Sequence, residues 1–561
     1  MAQQLYFSRD TRMFVQFRNP ADNTETAAKL GLGALWEIPV LDGYSFSQTT
    51  NTSEITLAEM ESTAGISRRG KRVFTDSLAP AEWSFSTYIR PFKSLAGSVA
   101  TGTKAADSAA EVHAVEEVLW ASMFGADTYS SYAFTRATNA AASSTYHTSG
   151  QVVTPAAAGA SPLNSVISLG ESNRSAMTAF TIFFLIDTAT SNPLVYRLPE
   201  AVVNEVSVDF DVDGIATLNW SGFAKEVQDV SGNVHVDATL PLHNDTTTDG
   251  TVMTYGDIWI DTDNANGRAF HLVTDDPSSG SVTVTQAIDE ATTSTKNFIR
   301  NRLTSVNIEA ADGADKITTV FPGSYATVVS YTSSTVTATA HGFAAGDQVY
   351  ISGATGETSL NTTHLYVGAV TTNTFKLYDT YAKGIAGSSD QETLTPGSYD
   401  ASSATASNGK YSLTLTGGSF TIGNNITYLV PEELGAINKP LEHVTGTRNS
   451  TGNATCYMTL EDSDTTSGTS RQFFNDLVST GAMSKTVNKF KVTMHIGGAT
   501  ATGNATDPAL KVEFPTAHIE VPSHSIEDVI SLETNFQALP TDFGTADEVS
   551  SITYYPVDEY A

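Results

Sequence analysis

The chain has 561 residues, of which 40% are hydrophobic and 16% charged, and its 61 acidic against 30 basic residues give a net charge of −31. That much apolar material excludes global disorder, and the length predicts about two to four domains. An acidic surface repels phosphates, which excludes the ordinary kind of sequence-reading nucleic-acid binding. Two interpretations of the acidity stay open. The acidic residues either merely keep the protein soluble, or they line a conduit to whose wall DNA does not stick.

Cysteine content and the N-terminus restrict the chemistry and the location. The one cysteine, Cys456, excludes an internal disulfide and a multi-cysteine zinc site, and we interpret it as a core residue. The first ten residues hold no apolar stretch of signal-peptide length, and the most apolar run, 180–186, is far too short to span a membrane as a helix. We therefore expect a soluble protein that is made in a cytoplasm.

Alternating residues predict strands through the first 228 residues. Residues 13–18 are typical of an opening strand, and Trp83, Phe85, Thr87 and Ile89 alternate with polar neighbours in a second clear strand. The spacing of Val112, Val115, Leu119 and Met123 predicts a helix that ends at Gly125. An extended loop is expected over 129–161, and strands resume at 179–186 and from 194 to about 227.

One predicted strand has an acidic face. Its apolar residues are Val206, Val208, Phe210 and Val212, and they alternate with Ser207, Asp209, Asp211 and Asp213. Asp209–Gly214 also matches the start of a calcium loop, but the twelfth position is Trp220 where a bidentate Glu is required. Asp261, Asp263 and Gly267 form a similar acidic turn that also lacks the distal Glu. We interpret both as turn chemistry, and expect no metal, no cofactor and no catalytic residue.

The pattern then starts again, which predicts an internal duplication. Residues 298–308 form a second opening strand, 428–435 echo 36–43, and 471–479 are helical. Residues 510–519 echo 194–203, and this alignment continues without a gap until Asn535-Phe536 matches Asn219-Trp220.

An insertion interrupts the second copy. Between 335 and 377, short alternating strands separated by Gly, Asn and Asp turns predict a compact β-barrel of roughly 60 residues, with linkers such as 384–407 around it. The predicted fold is therefore mainly β, with two antiparallel barrel or sandwich domains that each pack a helix, plus the small inserted barrel. The boundaries are 1–228 for the first domain, 229–297 for a connecting segment, 298–325 for the start of the second domain, 326–395 for the barrel and 408–561 for the remainder.

Several of these segments resemble the tail tube proteins of tailed bacteriophages. The resemblance rests on Phe46–Asn51 continuing through Trp83–Pro91, and on Asn424–Gly435; the His341-Gly342 and Gly346-Asp347 pattern looks like a small β-barrel module of phage virion proteins. It implies a virion protein assembled in the host cytoplasm, whose stacked rings form a tube, with Asp209, Asp211 and Asp213 as candidate lumen residues. Two tube domains in one chain imply trimeric rings with pseudo-sixfold symmetry, favoured over hexamers, and the barrel would decorate the exterior.

The implied partners are other copies of the chain, the tape-measure protein and viral DNA in the lumen, and the sheath, terminator and baseplate proteins. Two other functions stay open. A virion adhesin or carbohydrate-binding protein predicts exposed aromatic platforms. A polysaccharide-degrading enzyme needs a convergent pair of carboxylates. The sequence contains no H-E-x-x-H, G-x-S-x-G or Walker A motif, and we expect no enzyme activity.

Overall fold

The computed structural model is mainly β and almost entirely antiparallel. It describes residues 6–17, 35–56, 71–94, 111–114, 116–124, 153–155, 165–168, 179–187, 192–263, 268–273, 278–286, 288–289, 298–310, 325–332, 334–343, 345, 348–352, 360, 364–379, 381–387, 389, 391–394, 405–407, 410–431, 438–458, 470–479, 490–497, 508–526, 529–540, 547–549 and 551–555.

We call residues 6–229 the N-terminal half. Its strands are β1 Thr11–Phe17, β2 Leu35–Ile38, β3 Ser45–Ser47, β4 Thr50–Thr56, β5 Lys71–Leu78, β6 Ala81–Tyr88, β7 Pro91–Ser94, β8 Glu111–Ala114, β9 Val153–Pro155, β10 Ser165–Ser168, β11 Phe180–Ile186, β12 Leu194–Asp211, β13 Thr217–Ala224 and β14 Gln228–Asp229. Helix α1 is Glu117–Phe124. The helix predicted from Val112 therefore starts later than expected, because Glu111–Ala114 pairs with β7 as a strand.

The middle of the chain forms two smaller units. The outer sheet consists of β15 Val234–Asp237, β16 Ile258–Asp261, β17 Ala269–Val273 and β18 Val284–Gln286, and β19 Ile288–Asp289 follows it. After β20 Ser305–Ala310, six strands close into a barrel: β21 Tyr325–Tyr331, β22 Val336–Ala338, β23 Gln348–Ser352, β24 His364–Gly368, β25 Thr374–Tyr378 and β26 Thr405–Ser407. Helix α2 is Tyr381–Ala386. The expectation that 384–407 is only linker was wrong, because β26 pairs with both β21 and β23 to close the barrel.

We call residues 298–310 together with 410–555 the C-terminal half. Besides β20 it holds β27 Lys410–Gly423, β28 Thr427–Leu429, β29 Glu442–Val444, β30 Asn449–Tyr457, β31 Phe490–Gly497, β32 Ala509–Ile519, β33 Ser523–Ile526, β34 Ile530–Ala538 and β35 Ser551–Tyr555, with helix α3 at Ser470–Ser479. The outer sheet thus lies between the two halves in sequence, whereas the barrel is inserted within the C-terminal half, between β20 and β27.

The two halves pair their strands in the same registers. In the N-terminal half β11 pairs with β12 as Phe184↔Tyr196 and Phe180↔Ala201, with a register shift between Phe180 and Ile182. The C-terminal half pairs β31 with β32 as Met494↔Val512 and Phe490↔Ala517, with its shift between Phe490 and Val492. Each ladder has the same steps and the same irregularity. In both halves a short 3-10 turn, Ser8–Asp10 or Asn301–Leu303, precedes the first strand.

These registers correct two of the sequence alignments. β1 pairs with β2 as Val15↔Trp36, and β20 pairs with β27 as Ile308↔Tyr411, so Trp36 corresponds to Tyr411 and not to Tyr428. Tyr428 lies instead in the β28–β29 hairpin. The gapless match of Trp220 to Phe536 was also wrong. The pairs Val203↔Gly222 and Ile519↔Phe536 make Gly222 the counterpart of Phe536, because the turn between β33 and β34 is shorter than that between β12 and β13.

One hydrophobic core runs through both halves. Helices α1 and α3 contribute buried residues to it, Leu119, Trp120 and Met123 from α1 and Phe473 and Leu477 from α3. Trp120 packs edge-on against Trp220 at 4.9 Å between ring centroids and donates a hydrogen bond of 2.7 Å to the hydroxyl of Tyr554. Cys456 is buried in the same core. None of the helices in the described segments has the length and apolarity needed to cross a bilayer.

The outer sheet covers the N-terminal half alone. Phe14 stacks on Phe270 with ring centroids 4.2 Å apart, and Phe183 packs against the same ring at 5.7 Å. This cluster also includes Val195, Ile258, Ile260 and Leu272. The sequence described 229–297 only as a connecting segment, because its strands are short and separated by long acidic turns.

Candidate functional site: the polar face of the joined sheet

The two halves share one sheet. The second part of β12 pairs antiparallel with the second part of β27 through seven residue pairs, from Glu205↔Gly423 to Asp211↔Gly417. The strands then run in the order β3, β6, β13, β12, β27, β30, β34 and β33. We call this the joined sheet and the β12–β27 ladder the internal joint.

A glycine makes the internal joint possible. Phe210 lies opposite Gly418, and a Cβ at Gly418 would come within 2.8 Å of the Phe210 ring. Glycine is the one residue that leaves this ring its space. The Gly417-Gly418 pair was the available sequence signal for a close approach at this point, and sequence reasoning missed it.

Buried polar groups also tie the two halves together beside the internal joint. The Asn424 amide donates to the backbone oxygens of Met123 at 3.2 Å and Val203 at 3.3 Å, and its oxygen accepts from Arg448 Nε at 3.2 Å. The guanidinium of Arg448 in turn lies 3.5 Å from Glu548, with both side chains almost fully buried. Buried polar groups with partners fix one geometry, because any other arrangement leaves them unsatisfied.

One face of the joined sheet is buried and the other is polar. Trp83, Trp220 and Val208 are among the residues that face the core. The polar face includes Ser84, Ser86, Ser207, Asp209, Asp211, Asn219, Ser221, Ser419, Thr421, Thr451, Asn453, Thr455, Glu533, Asn535 and Gln537. Glu82 and Glu205 add carboxylates to it, and Tyr88 and Tyr457 are exposed aromatic residues on the same face. At the strand positions that the structure describes on this face there is no Lys or Arg.

Many of these polar side chains satisfy one another. Ser86 donates to Asn219 at 2.7 Å, and the Asn453 side-chain oxygen accepts the backbone N–H of Ser419 at 2.8 Å. Side chains that already hold hydrogen-bond partners within the sheet have few free donors and acceptors for another molecule. The face is therefore hydrophilic and acidic at a few positions.

The three candidate aspartates do not all lie in the sheet. Asp209 and Asp211 are exposed on the polar face, whereas Asp213 lies in the turn after β12, which ends at Asp211. The expectation that Val212 belongs to the buried apolar face was wrong. Its side chain is 42% exposed, because the chain already turns toward β13 at this residue. Within the described residues no group of three or more His, Cys, Asp or Glu is placed to hold a metal ion.

The polar face also contains a shallow cavity. It measures about 370 Å³ and is lined by residues of β27, β30, β32 and β34 together with Glu520. The one aromatic residue in its wall, Phe536, is 4% exposed, so its ring presents no platform for stacking a sugar. His341 is buried in the inserted barrel beside Phe343 and Phe375, and the ring of His524 on β33 lies 4.4 Å from that of Phe474 of helix α3, so neither lies on this surface.

Comparison with known proteins gives one partial relative. Tail tube protein pb6 of Escherichia phage T5 is 33% identical to the chain over 141 residues, which is 25% of this chain and 28% of that protein. The similarity thus spans under a third of the relative's length. No family model matches the chain.

Proposed function

We propose that the chain is the building block of a phage tail tube, a structural virion protein without enzymatic activity. The observation that carries the proposal is the joined sheet, whose two halves continue one another and present a polar face free of Lys and Arg at the described positions. The partial relative, named a tail tube protein, supports the same role. A wall of this chemistry lets a polyanion pass without being held.

The same proposal includes a duplicated tube domain. The matching β11–β12 and β31–β32 ladders, with their register shifts at the same step, support two copies of one fold in one chain. In the described residues of each copy a helix occupies the same place in the strand order: α1 lies between β6 and β11, and α3 lies between β30 and β31. Three chains would then supply six similar domains to a ring with pseudo-sixfold symmetry. Rings that stack head to tail do not close on themselves and so extend into a tube.

The polar face is the proposed lumen. Asp209 and Asp211 lie on it, and Asp213 lies at its end, where the lumen meets the next ring. DNA and the tape-measure protein occupy the lumen transiently, while sheath, terminator and baseplate proteins contact the outside and the ends. We expect the outer sheet to project outward, because it packs on Phe14 of β1 and Phe183 of β11, which are not strands of the joined sheet. We expect the same of the inserted barrel, which follows β20 and precedes the first part of β27.

Negative-stain electron microscopy of the purified protein tests the tube, with end-on views classified by rotational symmetry. Hollow rings with threefold symmetry and six similar inner lobes are the expected result. Sixfold rings would retain the tube and refute the trimer. Solid particles that never stack would refute the tube itself, and would favour a virion adhesin.

Neutralising the lumen carboxylates tests the role of the face. We expect virions carrying Asp209→Asn, Asp211→Asn and Asp213→Asn to release DNA more slowly, because the wall repels phosphates less. The matched control removes three carboxylates from the outer sheet and the turns that connect its strands, at Asp245, Asp261 and Asp263. Equal DNA release rates for the wild type and the lumen variant would show that these aspartates do not line the lumen.

A further inference from the structure

The internal joint has a counterpart at the two ends of the joined sheet. β12 pairs with β13 as Val203↔Gly222 and, after a register shift, as Ser207↔Asn219. In the C-terminal half the same steps give Ile519↔Phe536 and Ser523↔Glu533. β33 therefore corresponds to the second part of β12, the part that forms the internal joint, and Ser523 corresponds to Ser207.

The other side of the joint also has its counterpart. Phe420 of β27 pairs with Gly452, which pairs with Phe536. Phe46 of β3 pairs with Trp83, which pairs with Gly222. Because Gly222 corresponds to Phe536, Phe46 corresponds to Phe420. The two terminal strands of the joined sheet, β3 and β33, are thus the equivalents of the two strands that form the internal joint.

Both terminal strands lack the cover that their equivalents have. Among the described residues, β33 pairs along this segment with β34 alone and β3 with β6 alone. At the internal joint, by contrast, β12 and β27 pair with each other and so have a strand on both sides. Val208 and Phe420 face each other across the internal joint and are fully buried. Their counterparts are not: His524 is exposed and Phe46 is half-buried. An uncovered strand edge is a template for pairing with another chain.

We infer that β33 of one copy pairs antiparallel with β3 of the next copy, in the register of the internal joint. His524 then lies opposite Phe46, Ser523 opposite Ser47, and Ser525 opposite Ser45. We call this contact the seam. The inference rests on the proposed function and specifies it, since it names the residues through which three chains close a ring.

The seam is weaker than the internal joint. Pro522 occupies the position of Val206 and has no N–H to give to a ladder. Glu520 replaces Asn204, whose side-chain oxygen accepts the Ile426 N–H at 2.8 Å beside the internal joint. A ring should consequently open at its three seams while every chain keeps its own two halves joined.

Disulfide trapping tests the seam. The variant Ser47→Cys/Ser523→Cys is assembled under reducing conditions and then oxidised. Cys456 should not form crosslinks of its own, because it is buried and burial raises the pKa of its thiol to about 11. We expect covalent dimers and trimers on non-reducing gels. Ser207→Cys/Thr421→Cys, which places the same pair across the internal joint, should instead lose both thiols and remain a monomer.

A mismatched pair controls for chance collisions. Ser47→Cys/Ser207→Cys joins two strands separated by β6 and β13, roughly 14 Å apart at the usual strand spacing, and should not crosslink. Rings in which the internal-joint pair oxidises while Ser47→Cys/Ser523→Cys stays monomeric would overturn the seam and leave the tube standing. A wild-type chain that forms no rings would overturn the proposed function. If the double variant alone fails to assemble, mixed Ser47→Cys and Ser523→Cys single variants must give the crosslinked dimer, and its absence counts against the seam.

Discussion

Each half contains a glycine that faces an aromatic ring on the neighbouring strand, but the strand that holds the glycine differs between the halves. Trp83 faces Gly222 in the N-terminal half, and a Cβ at Gly222 would lie 2.5 Å from the Trp83 ring. In the C-terminal half the glycine is Gly452 and the ring belongs to Phe536, again with 2.5 Å between the ring and the added Cβ. Each pair of facing positions thus holds one large and one absent side chain, which fills the same volume.

Gly222→Ala should therefore destabilise the N-terminal half. The added methyl would also lie 2.0 Å from the Val202 carbonyl oxygen, and a backbone atom cannot move aside. We expect a loss of roughly 1–3 kcal/mol in the free energy of unfolding, the usual cost of overpacking a core. Urea denaturation measures it. Gly423→Ala is the matched control, because its nearest neighbour would be 3.7 Å away and it should change stability little. Equal losses for both variants would contradict the packing argument.

His271 makes the outer sheet sensitive to acid. Its ring stacks on Trp259 at 4.5 Å, and burial lowers the pKa of His271 to about 4. The unfolded chain binds a proton near pH 6.5 while the folded one does not, so this contribution to stability is present above that pH and is lost as the pH falls toward 4. The loss is at most about 1.4 kcal/mol per pH unit.

Replacing the ring by His271→Leu should remove this part of the pH dependence. Urea midpoints of the wild type and the variant between pH 7 and pH 4.5 provide the comparison, since the other titrating groups are common to both proteins. Parallel curves would show that the buried imidazole does not titrate as expected.

At the scale of elements, the halves differ most in what covers them. In the N-terminal half the outer sheet packs on Phe14 and Phe183. The corresponding residues of the C-terminal half, read from the pairs Phe14↔Phe183 and Asn307↔Thr493, are Asn307 and Thr493. Apolar residues are thus present under the outer sheet, whereas the residues at the equivalent positions, Asn307 and Thr493, are polar although they are buried too.

Phe270→Ala should loosen the outer sheet without disturbing the joined sheet. Phe270 packs against both Phe14 and Phe183, and truncating a buried Phe costs about 3–5 kcal/mol. Limited proteolysis should cut first within residues 234–286 in the variant. The same truncation at Phe375, in the core of the inserted barrel, is the control and should direct cleavage to the barrel. Unchanged cleavage at 234–286 would contradict the packing role of Phe270.

Alternation in the sequence predicted the strands but not their partners. It placed Trp83, Phe85 and Val206 in the core and Asp209 and Asp211 on the polar face, because side-chain direction in a strand is a local property. The internal joint depends on chain segments separated by the outer sheet and the barrel, and local patterns carry no information on such pairing. Val212 and Asp213 were assigned to the strand for a related reason, since the end of β12 at Asp211 is fixed by the turn to β13.

For the whole molecule, charge should oppose association. The net charge of −31 makes every chain repel its copies, and salt reduces that repulsion because the screening length is about 10 Å at 0.1 M and shorter above. We therefore expect tubes in electron micrographs to lengthen as sodium chloride is raised from low to moderate concentration. Sodium sulfate at equal ionic strength checks that screening is the cause. Tubes that shorten in salt would show that attractive ion pairs dominate the stacking.

The exchanged rings and glycines also bear on how such a gene can change. A recombination event that replaced β6 by β30 while keeping β13 would set Gly452 against Gly222 and leave a void. The reciprocal product would force Trp83 against Phe536. Selection would thus remove crossovers that separate the two strands of such a pair, because the products pack badly, and would tolerate exchanges that move both strands together. Under the proposed duplication, such packing would keep the coding segments of the two halves from becoming identical again by recombination, and would let each acquire its own added unit.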